Sequence, residues 1–146
     1  MKYKVRYLGE LDDPDDQEQI LDLDQVCFPY DARPNFLETH WWVVYDEDKK
    51  PVGYSGAKFW EPDNFVYISR CGVIPEARGN HLQQRTLRVI ERWAKKIGAD
   101  GMYTDTYRNV PSGNSFIRAG FQLFWPEELW ATTESTYWYK QWRKTK

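Results

Sequence analysis

The 146-residue chain is 41% hydrophobic, carries 20 Lys and Arg against 22 Asp and Glu for a net charge of −2, and has two cysteines. That is the size of one domain with enough apolar content for a core, and the near-neutral balance argues against a general nucleic-acid binder. Cys27 and Cys71 are too few for a disulfide framework and lack metal-ligand spacing, which points to a reducing cytoplasm and no metal, and the absence of a long apolar run predicts neither a signal peptide nor a membrane partner.

The charge is uneven. Residues 1–40 hold ten acidic against four basic side chains, and residues 41–146 twelve against sixteen. An acidic front suits a cationic acceptor and a basic remainder an anionic ligand, although a run of charge is by default a solvated surface.

In chain order, Tyr3, Val5 and Tyr7 alternate with basic residues and predict a half-buried first strand over Tyr3–Leu8. Asp13-Pro14-Asp15-Asp16 is a helix start, with a capping Asp, Pro at the first helical position and acids in the first turn. Ile20, Leu23, Val26 and Cys27 form its apolar face, and Pro29 ends it. Residues 28–40 predict a loop and a short helix near Phe36–His40. Trp41–Tyr45 and Val52–Trp60 form a hairpin about a polar turn, and a turn at 61–64 leads to a central strand, Phe65–Val73. Its Arg70-Cys71-Gly72 step suits a bulge.

Pro75-Glu76-Ala77-Arg78-Gly79-Asn80 breaks that strand. Leu82, Leu87, Ile90, Trp93, Ala94 and Ile97 then recur with helical spacing, so a helix is predicted over His81–Ile97, with Gly98 as its stop. A strand that feeds a helix through a Gly-containing turn leaves several N–H groups without partners at the helix start, a natural site for phosphate oxygens. Arg85, Arg88, Arg92 and Lys95 line one flank of this helix, as a solvated face or, for Arg85 or Arg88, near phosphate. A fifth strand over Met102–Tyr107, a short helix over Pro111–Ala119 closed by Gly120, a sixth strand over Phe121–Trp125 and a last strand over Thr132–Trp142 complete the chain.

Two stretches carry a family resemblance. Val73-Ile74-Pro75-Glu76-Ala77-Arg78-Gly79 resembles the Val-x-Pro-x-x-Arg-Gly segment of the GNAT superfamily of acetyl-CoA-dependent N-acyltransferases. In that family Gln/Arg-x-x-Gly-x-Gly/Ala wraps the coenzyme pyrophosphate with backbone amides. The six positions here are Arg78, Gly79, Asn80, His81, Leu82 and Gln83, with His81 and Gln83 where the family has small residues. Downstream, Asn109, Ser112, Phe116, Gly120 and Phe121 fill the family's second signature without a gap. The resemblance implies one mixed α/β domain over 1–146, built on a splayed, mostly antiparallel seven-stranded sheet with about four helices.

It also implies acetyl transfer from acetyl-CoA to a primary amine, borne by a small cationic compound or a protein, with homodimer formation left open. By family position, the backbones of Cys71 and Val73 pair with the pantetheine arm of the coenzyme, and Asn109, Ser112 and Phe116 also face it. Phe28, Tyr30 and Asp31 fall where the family covers its acceptor site. The Val73 amide is the expected oxyanion donor.

The chemistry needs an uncharged amine, a polarised carbonyl and a way to release a thiolate. An alkylammonium has a pKa of ~10, so a base or a water relay must take its proton. Asp105, a polar residue in an apolar strand, is the first candidate, ahead of Glu61, His40 and Asp31; facing solvent or pairing with Arg108 are its structural alternatives. The family's usual proton-donating Tyr is Phe116 here, which leaves Ser115, Tyr107 or water as substitutes, with Ser112 another hydroxyl nearby. The missing hydroxyl also keeps a second reading in view: a weakly active or inactive acyl-CoA-binding regulatory protein.

Overall fold

The computed structural model describes residues 2–144; Met1, Thr145 and Lys146, the ends of the expected 1–146 domain, lie outside them. Seven strands form one sheet: β1 (Lys4–Glu10), β2 (His40–Tyr45), β3 (Pro51–Trp60), β4 (Phe65–Val73), β5 (Gly101–Thr106), β6 (Gln122–Phe124) and β7 (Thr136–Gln141). Their spatial order is β1-β2-β3-β4-β5-β7-β6. Every neighbouring pair is antiparallel except β4 and β5, which run parallel. A single α/β domain results, as expected.

Three α-helices are described, α1 (Pro14–Cys27), α2 (Leu82–Lys96) and α3 (Val110–Arg118), with two 3₁₀ turns at Glu61–Asp63 and Pro75–Ala77. The expectation of about four helices is corrected at residues 36–40. There Asn35 Oδ1 accepts from the Leu37 N–H, Thr39 N–H bonds the Phe36 carbonyl, and His40 already begins β2. An Asn side chain that bonds its own backbone two residues on offers the chain a turn in place of a helix.

Local chemistry explains the helix ends. Asp13 Oδ1 accepts from Asp15 N at 2.9 Å and starts α1, and Asn109 Oδ1 accepts from Ser112 N at 3.1 Å and starts α3. Such caps satisfy N–H groups that the helix itself leaves orphaned. Gly98, with φ of +89°, follows α2 and gives the left-handed turn that ends it.

Several strands differ from their sequence outlines. β1 runs on to Glu10, and its alternation is broken where the register shifts between Tyr7 and Gly9. Tyr7 is consequently about half exposed. β6 and β7 are shorter than expected, since a Thr132–Ser135 turn precedes β7. In β4 the extra residue is Ser69, not one of Arg70-Cys71-Gly72: Gly56 pairs with Arg70 and Ala57 with Ile68, so Ser69 has no opposite number.

The sheet buries both faces. One carries Trp42, Ala57, Val66, Ile68 and Met102 against Leu87, Ile90 and Ala94 of α2 and Phe116 of α3. The other carries Trp41, Val43 and Tyr54 against Ile20 and Leu23 of α1. Adjacent Trp41 and Trp42 serve opposite faces because strand side chains alternate. Each buried aliphatic side chain contributes roughly 1.5–3 kcal/mol, so the strand bordering the site is gripped from both sides.

Gly101 opens β5 in a place with no room for a side chain. An added Cβ would lie 2.5 Å from the Lys140 carbonyl oxygen and 2.6 Å from the Phe65 ring. A backbone carbonyl cannot rotate away. Gly101→Ala is therefore expected to lower stability by about 2–3 kcal/mol, read as a lower urea midpoint with an unchanged slope. An unchanged midpoint would refute the tight packing at this strand start.

Candidate active site

The site originates where β4 and β5 part. They pair at Phe65 with Gly101, Val66 with Met102 and Tyr67 with Tyr103, and no further. Just past the last pair, the Thr104 hydroxyl donates to the Ile68 carbonyl at 2.8 Å and closes the apex. Beyond it β4 continues to Val73 with nothing paired on that edge. Ile74 N–H bonds the Val52 carbonyl at 2.9 Å on the β3 side. Backbone direction alternates along a strand, so the N–H and C=O groups of Val73 and Cys71 face the opening. Arg78 Nε donates to the Val73 carbonyl at 3.2 Å, which leaves the Val73 N–H available.

Two cavities fill the opening. The outer one, of about 450 Å³, lies between the end of β4, the start of α2 and α3. Cys71, Val73, Arg78, Gly79, His81, Leu82, Gln83, Asn109, Ser112 and Ser115 all line it. Asn80 does not; its Nδ2 donates to the Ala77 carbonyl at 2.9 Å and shapes the turn. The inner cavity, of about 330 Å³, is lined by Asp31, Arg70, Thr104, Asp105 and Phe116 among others. Phe28, Cys27, Cys71, Gln83, Asn109 and Ser112 border both cavities.

The outer cavity meets the start of α2, and this helix differs from the other two. No side chain caps it: His81 occupies the cap position with φ of +57°, and its side chain accepts no bond from the first-turn N–H groups. Gly79 just before it has φ of +87°, and an added Cβ there would meet nothing within 4 Å. The N–H groups of the first turn are thus left to the cavity, at the positive end of a 15-residue helix. Arg78 and Arg118 add full positive charges to the same lining. His81 and Gln83 leave the cavity open: the His81 side chain is exposed, and Gln83 Nε2 donates to Ser112 Oγ at 3.1 Å.

In the inner cavity Asp105 neither faces solvent freely nor pairs with Arg108, whose guanidinium bonds Glu134 at 3.3 Å. Its Oδ1 accepts from the Tyr67 hydroxyl at 2.7 Å and from Trp130 Nε1 at 2.9 Å. Among the described residues it has no cationic partner. Burial, and then the Asp105 charge, push the Tyr67 phenol far above its ordinary range, so it stays a donor. Burial and then Asp63 push Tyr103, whose ring is tilted against that of Tyr67, up to about 12.

Arg70 forms the opposite wall. Its guanidinium lies 3.4 Å from Asp24 and 3.1 Å from Asp31, donates to the Ala32 carbonyl and covers the Phe28 ring. These contacts fasten the segment after α1 to β4 and bring Phe28 and Asp31 to the cavity. Tyr30 is left out; it is 98% exposed and lines neither cavity. Ser115 Oγ donates to the Pro111 carbonyl at 3.1 Å. Phe116 is 2% exposed and packed against Phe121 and Trp138.

Sequence reasoning missed Tyr67 and Trp130 beside Asp105, Arg70 as the wall, and Gln84, Asn114 and Arg118 in the outer cavity. No local pattern signals the first three, since their partners lie 25 to 46 residues away in the chain. Arg118, in the last turn of α3, reads from sequence as an ordinary helix-end cation. Glu61 and His40, weighed as bases, lie elsewhere: Glu61 is exposed in a 3₁₀ turn, and His40 bonds Tyr7 and Glu10. Among the described residues no cluster of three or more His, Cys, Asp or Glu is placed to hold a metal ion, and no helix is long and apolar enough to cross a membrane.

The two thiols at the junction of the cavities are protonated. Burial pushes Cys27 up to about 11, against an opposing pull from Arg78, and pushes Cys71 up to about 11, against Ser55 and Gln83. The thiolate is the reactive form, so iodoacetamide at pH 8 is expected to label both about 100-fold more slowly than an exposed cysteine, with the rate climbing until the pH reaches about 11. Rapid labelling at pH 8, followed by mass spectrometry, would contradict this.

Comparison with known proteins agrees with the architecture. The sequence profile described as Acetyltransferase (GNAT) family matches residues 9–121. No curated protein sequence matches the chain. Among solved structures, nourseothricin acetyltransferase superposes with a TM-score of 0.70 at 16% identity, over 95% of this chain and 98% of that one. PaiA N-acetyltransferase from Thermoplasma acidophilum, in complex with coenzyme A, gives 0.73 at 15% identity over 97% and 100%. The ribosomal-protein-S18-alanine N-acetyltransferase from Escherichia coli gives 0.77 at 10% identity over 99% and 97%. At these identities the likeness speaks for the fold, and the profile, which spans most of the chain, speaks for the family. The protein belongs to the acetyltransferase (GNAT) family.

Proposed function

We propose that the protein transfers the acetyl group of acetyl-CoA to a primary amine. The observation that carries this reading is an uncapped helix N-terminus, flanked by Arg78 and Arg118, opening onto a cavity that continues past an unpaired strand edge to the Asp105 carboxylate. Structural relatives in complex with coenzyme A support it.

The residues present fit the coenzyme. The orphan first-turn amides of α2 and the Gly79 turn suit a pyrophosphate, whose oxygens need donors that can approach closely. The edge groups of Cys71 and Val73 suit an extended amide-bearing arm, which would add to β4 as a further strand. Bound there, acetyl-CoA would supply an activated acyl thioester.

The chain's own residues then have distinct tasks. An acceptor ammonium entering the inner cavity meets Asp105, whose Oδ1 is held by two neutral donors and which forms no ion pair among the described residues. The carboxylate draws in the ammonium and receives its proton, directly or through water. The Val73 N–H would donate to the carbonyl oxygen as negative charge grows on it, a contact stronger in the transition state than before it. Phe28 and the Arg70-braced loop wall off this space. The relatives act on acceptors as unlike as nourseothricin and a ribosomal-protein alanine, and for this chain the acidic Asp105 end favours a cationic amine of either kind.

Titration calorimetry with coenzyme A and acetyl-CoA is the test, followed by an amine panel scored by thiol release. Micromolar binding is expected, weakened at least about tenfold by Gly79→Pro, which removes one amide and cannot hold the left-handed turn. Asp105→Asn should keep coenzyme binding but lower kcat/KM about 10²–10⁴-fold. Binding without turnover of any amine would instead favour a regulatory acyl-CoA-binding protein, and no binding at millimolar ligand would defeat both readings.

A further inference from the structure

Phe116 leaves the departing thiolate without the phenol that the family resemblance leads one to expect, and three hydroxyls compete to replace it. Tyr107 Oη donates to Glu134 at 3.3 Å on the surface. Ser115 Oγ gives its proton to the Pro111 carbonyl and borders only the outer cavity. Ser112 differs from both. It is 8% exposed, borders both cavities at their junction, and sits in the first turn of α3. Gln83 Nε2 donates to its Oγ, so one lone pair is occupied while its own proton has no acceptor among the described residues. A buried hydroxyl whose proton has no acceptor awaits a partner.

Building on the acetyl-transfer reading above, we propose that Ser112 is the catalytic residue that donates a hydrogen bond to the leaving thiolate, oriented for this by Gln83. Gln83 stands at a position where the family resemblance calls for a small residue. Its side chain fills that space and links α2 to α3 across the floor of the cleft. The departures at Gln83 and Phe116 are thereby one compensated change.

The contact is a hydrogen bond and not a proton transfer, because an aliphatic hydroxyl is a far weaker acid than a thiol. In the step, the amine nitrogen forms a bond to the acyl carbon, the carbon–sulfur bond breaks, and sulfur leaves with the electron pair as a thiolate. One ammonium proton goes to Asp105 or water before attack, the second leaves the new amide nitrogen for water as the carbon–sulfur bond breaks, and the thiolate rests against the Ser112 hydroxyl until released. A hydrogen bond to an ion is about twice as strong as one between neutral groups.

A donor that favours the thiolate must lower the thiol pKa of bound coenzyme A. Affinity for coenzyme A should therefore rise with pH, by about tenfold between pH 7 and 9. The thiols of Cys27 and Cys71 border the same space but stay protonated to about 11. The charged and titratable groups facing it are Asp31 after α1, Arg70 on β4, Arg78 and His81 before α2, Asp105, Tyr107 and Arg108 at the end of β5, and Arg118 on α3. Their contributions appear equally with desulfo-coenzyme A, which lacks the sulfur, so the difference between the two ligands isolates the thiol.

The experiment is calorimetric titration of coenzyme A and desulfo-coenzyme A across this pH range, on the wild type, Ser112→Ala, Gln83→Leu and Ser115→Ala. The sulfur-dependent rise should be present in the wild type, absent in Ser112→Ala and reduced in Gln83→Leu. In parallel, kcat for Ser112→Ala should fall about ten- to hundredfold with little change in KM. If Ser112→Ala does not fold, loss of the rise in Gln83→Leu supports the proposal and its full retention overturns it. A rise that survives in Ser112→Ala, or vanishes only in Ser115→Ala, overturns the assignment while leaving coenzyme binding intact. A wild type that binds neither ligand overturns the functional reading itself.

Discussion

The parting of β4 from β5 is the constraint on which the site depends. Parallel strands gain by pairing along their whole length, yet these two pair over three residues and separate. Ser69, the unpaired extra residue in β4, sits next to the Ile68 carbonyl where Thr104 ends the contact. A bulge bends and twists the strand that carries it, so the chain turns away from β5 within one residue step. The result is a strand edge with donors and acceptors aimed into a cleft. Edge groups without a strand partner give an extended polar ligand a reason to bind along that edge.

The cleft persists because each wall is held from its far side. β4 is packed between α1 and α2, with apolar clusters on both faces. Arg70 ties the end of α1 to the same strand through Asp24, Asp31 and a carbonyl, and Tyr54 donates to Asp24 beneath it. Asp24 is buried, and removing one member of such a network leaves a charge without its partner, which is why these contacts tolerate little change. On the other side, the Gln83–Ser112 bond joins α2 to α3 across the opening.

Much of this was legible in the chain. β4 spans Phe65–Val73 as its apolar run and Pro-containing end indicate, and the stripe of α2 falls on the core as its spacing requires. Asp13 and Asn109 cap helices because their side chains compete for nearby amides. The illegible parts rest on long-range pairing. Which residue of β4 is extra depends on Gly56 of the neighbouring strand, and what holds Asp105 depends on Tyr67 and on Trp130 from the 125–135 segment. Between Ser112 and Ser115 the sequence offers no choice: only the positions of Gln83 and the Pro111 carbonyl separate them. Tyr30 falls where the family covers its acceptor site, yet the Arg70 contacts hold its neighbours and leave it in solvent.

The three helix starts show how function is written into such details. α1 and α3 close their first amides with Asp13 and Asn109, whereas α2 leaves them open toward the cleft. The backbone before α2 reaches this arrangement through two left-handed residues, Gly79 and His81. For histidine that conformation costs roughly 1–2 kcal/mol relative to the right-handed one. A chain selected only for stability would place glycine or asparagine there, or a capping side chain that met the free amides. The family's preference for a small residue at the His81 position is thus answered in its backbone angle, while its exposed side chain borders the cleft. At Gln83 the same preference is answered differently, by a side chain that builds the floor of the cleft. What the motif conserves here is the disposition of amides, and a sequence that departs from its letters still keeps that disposition.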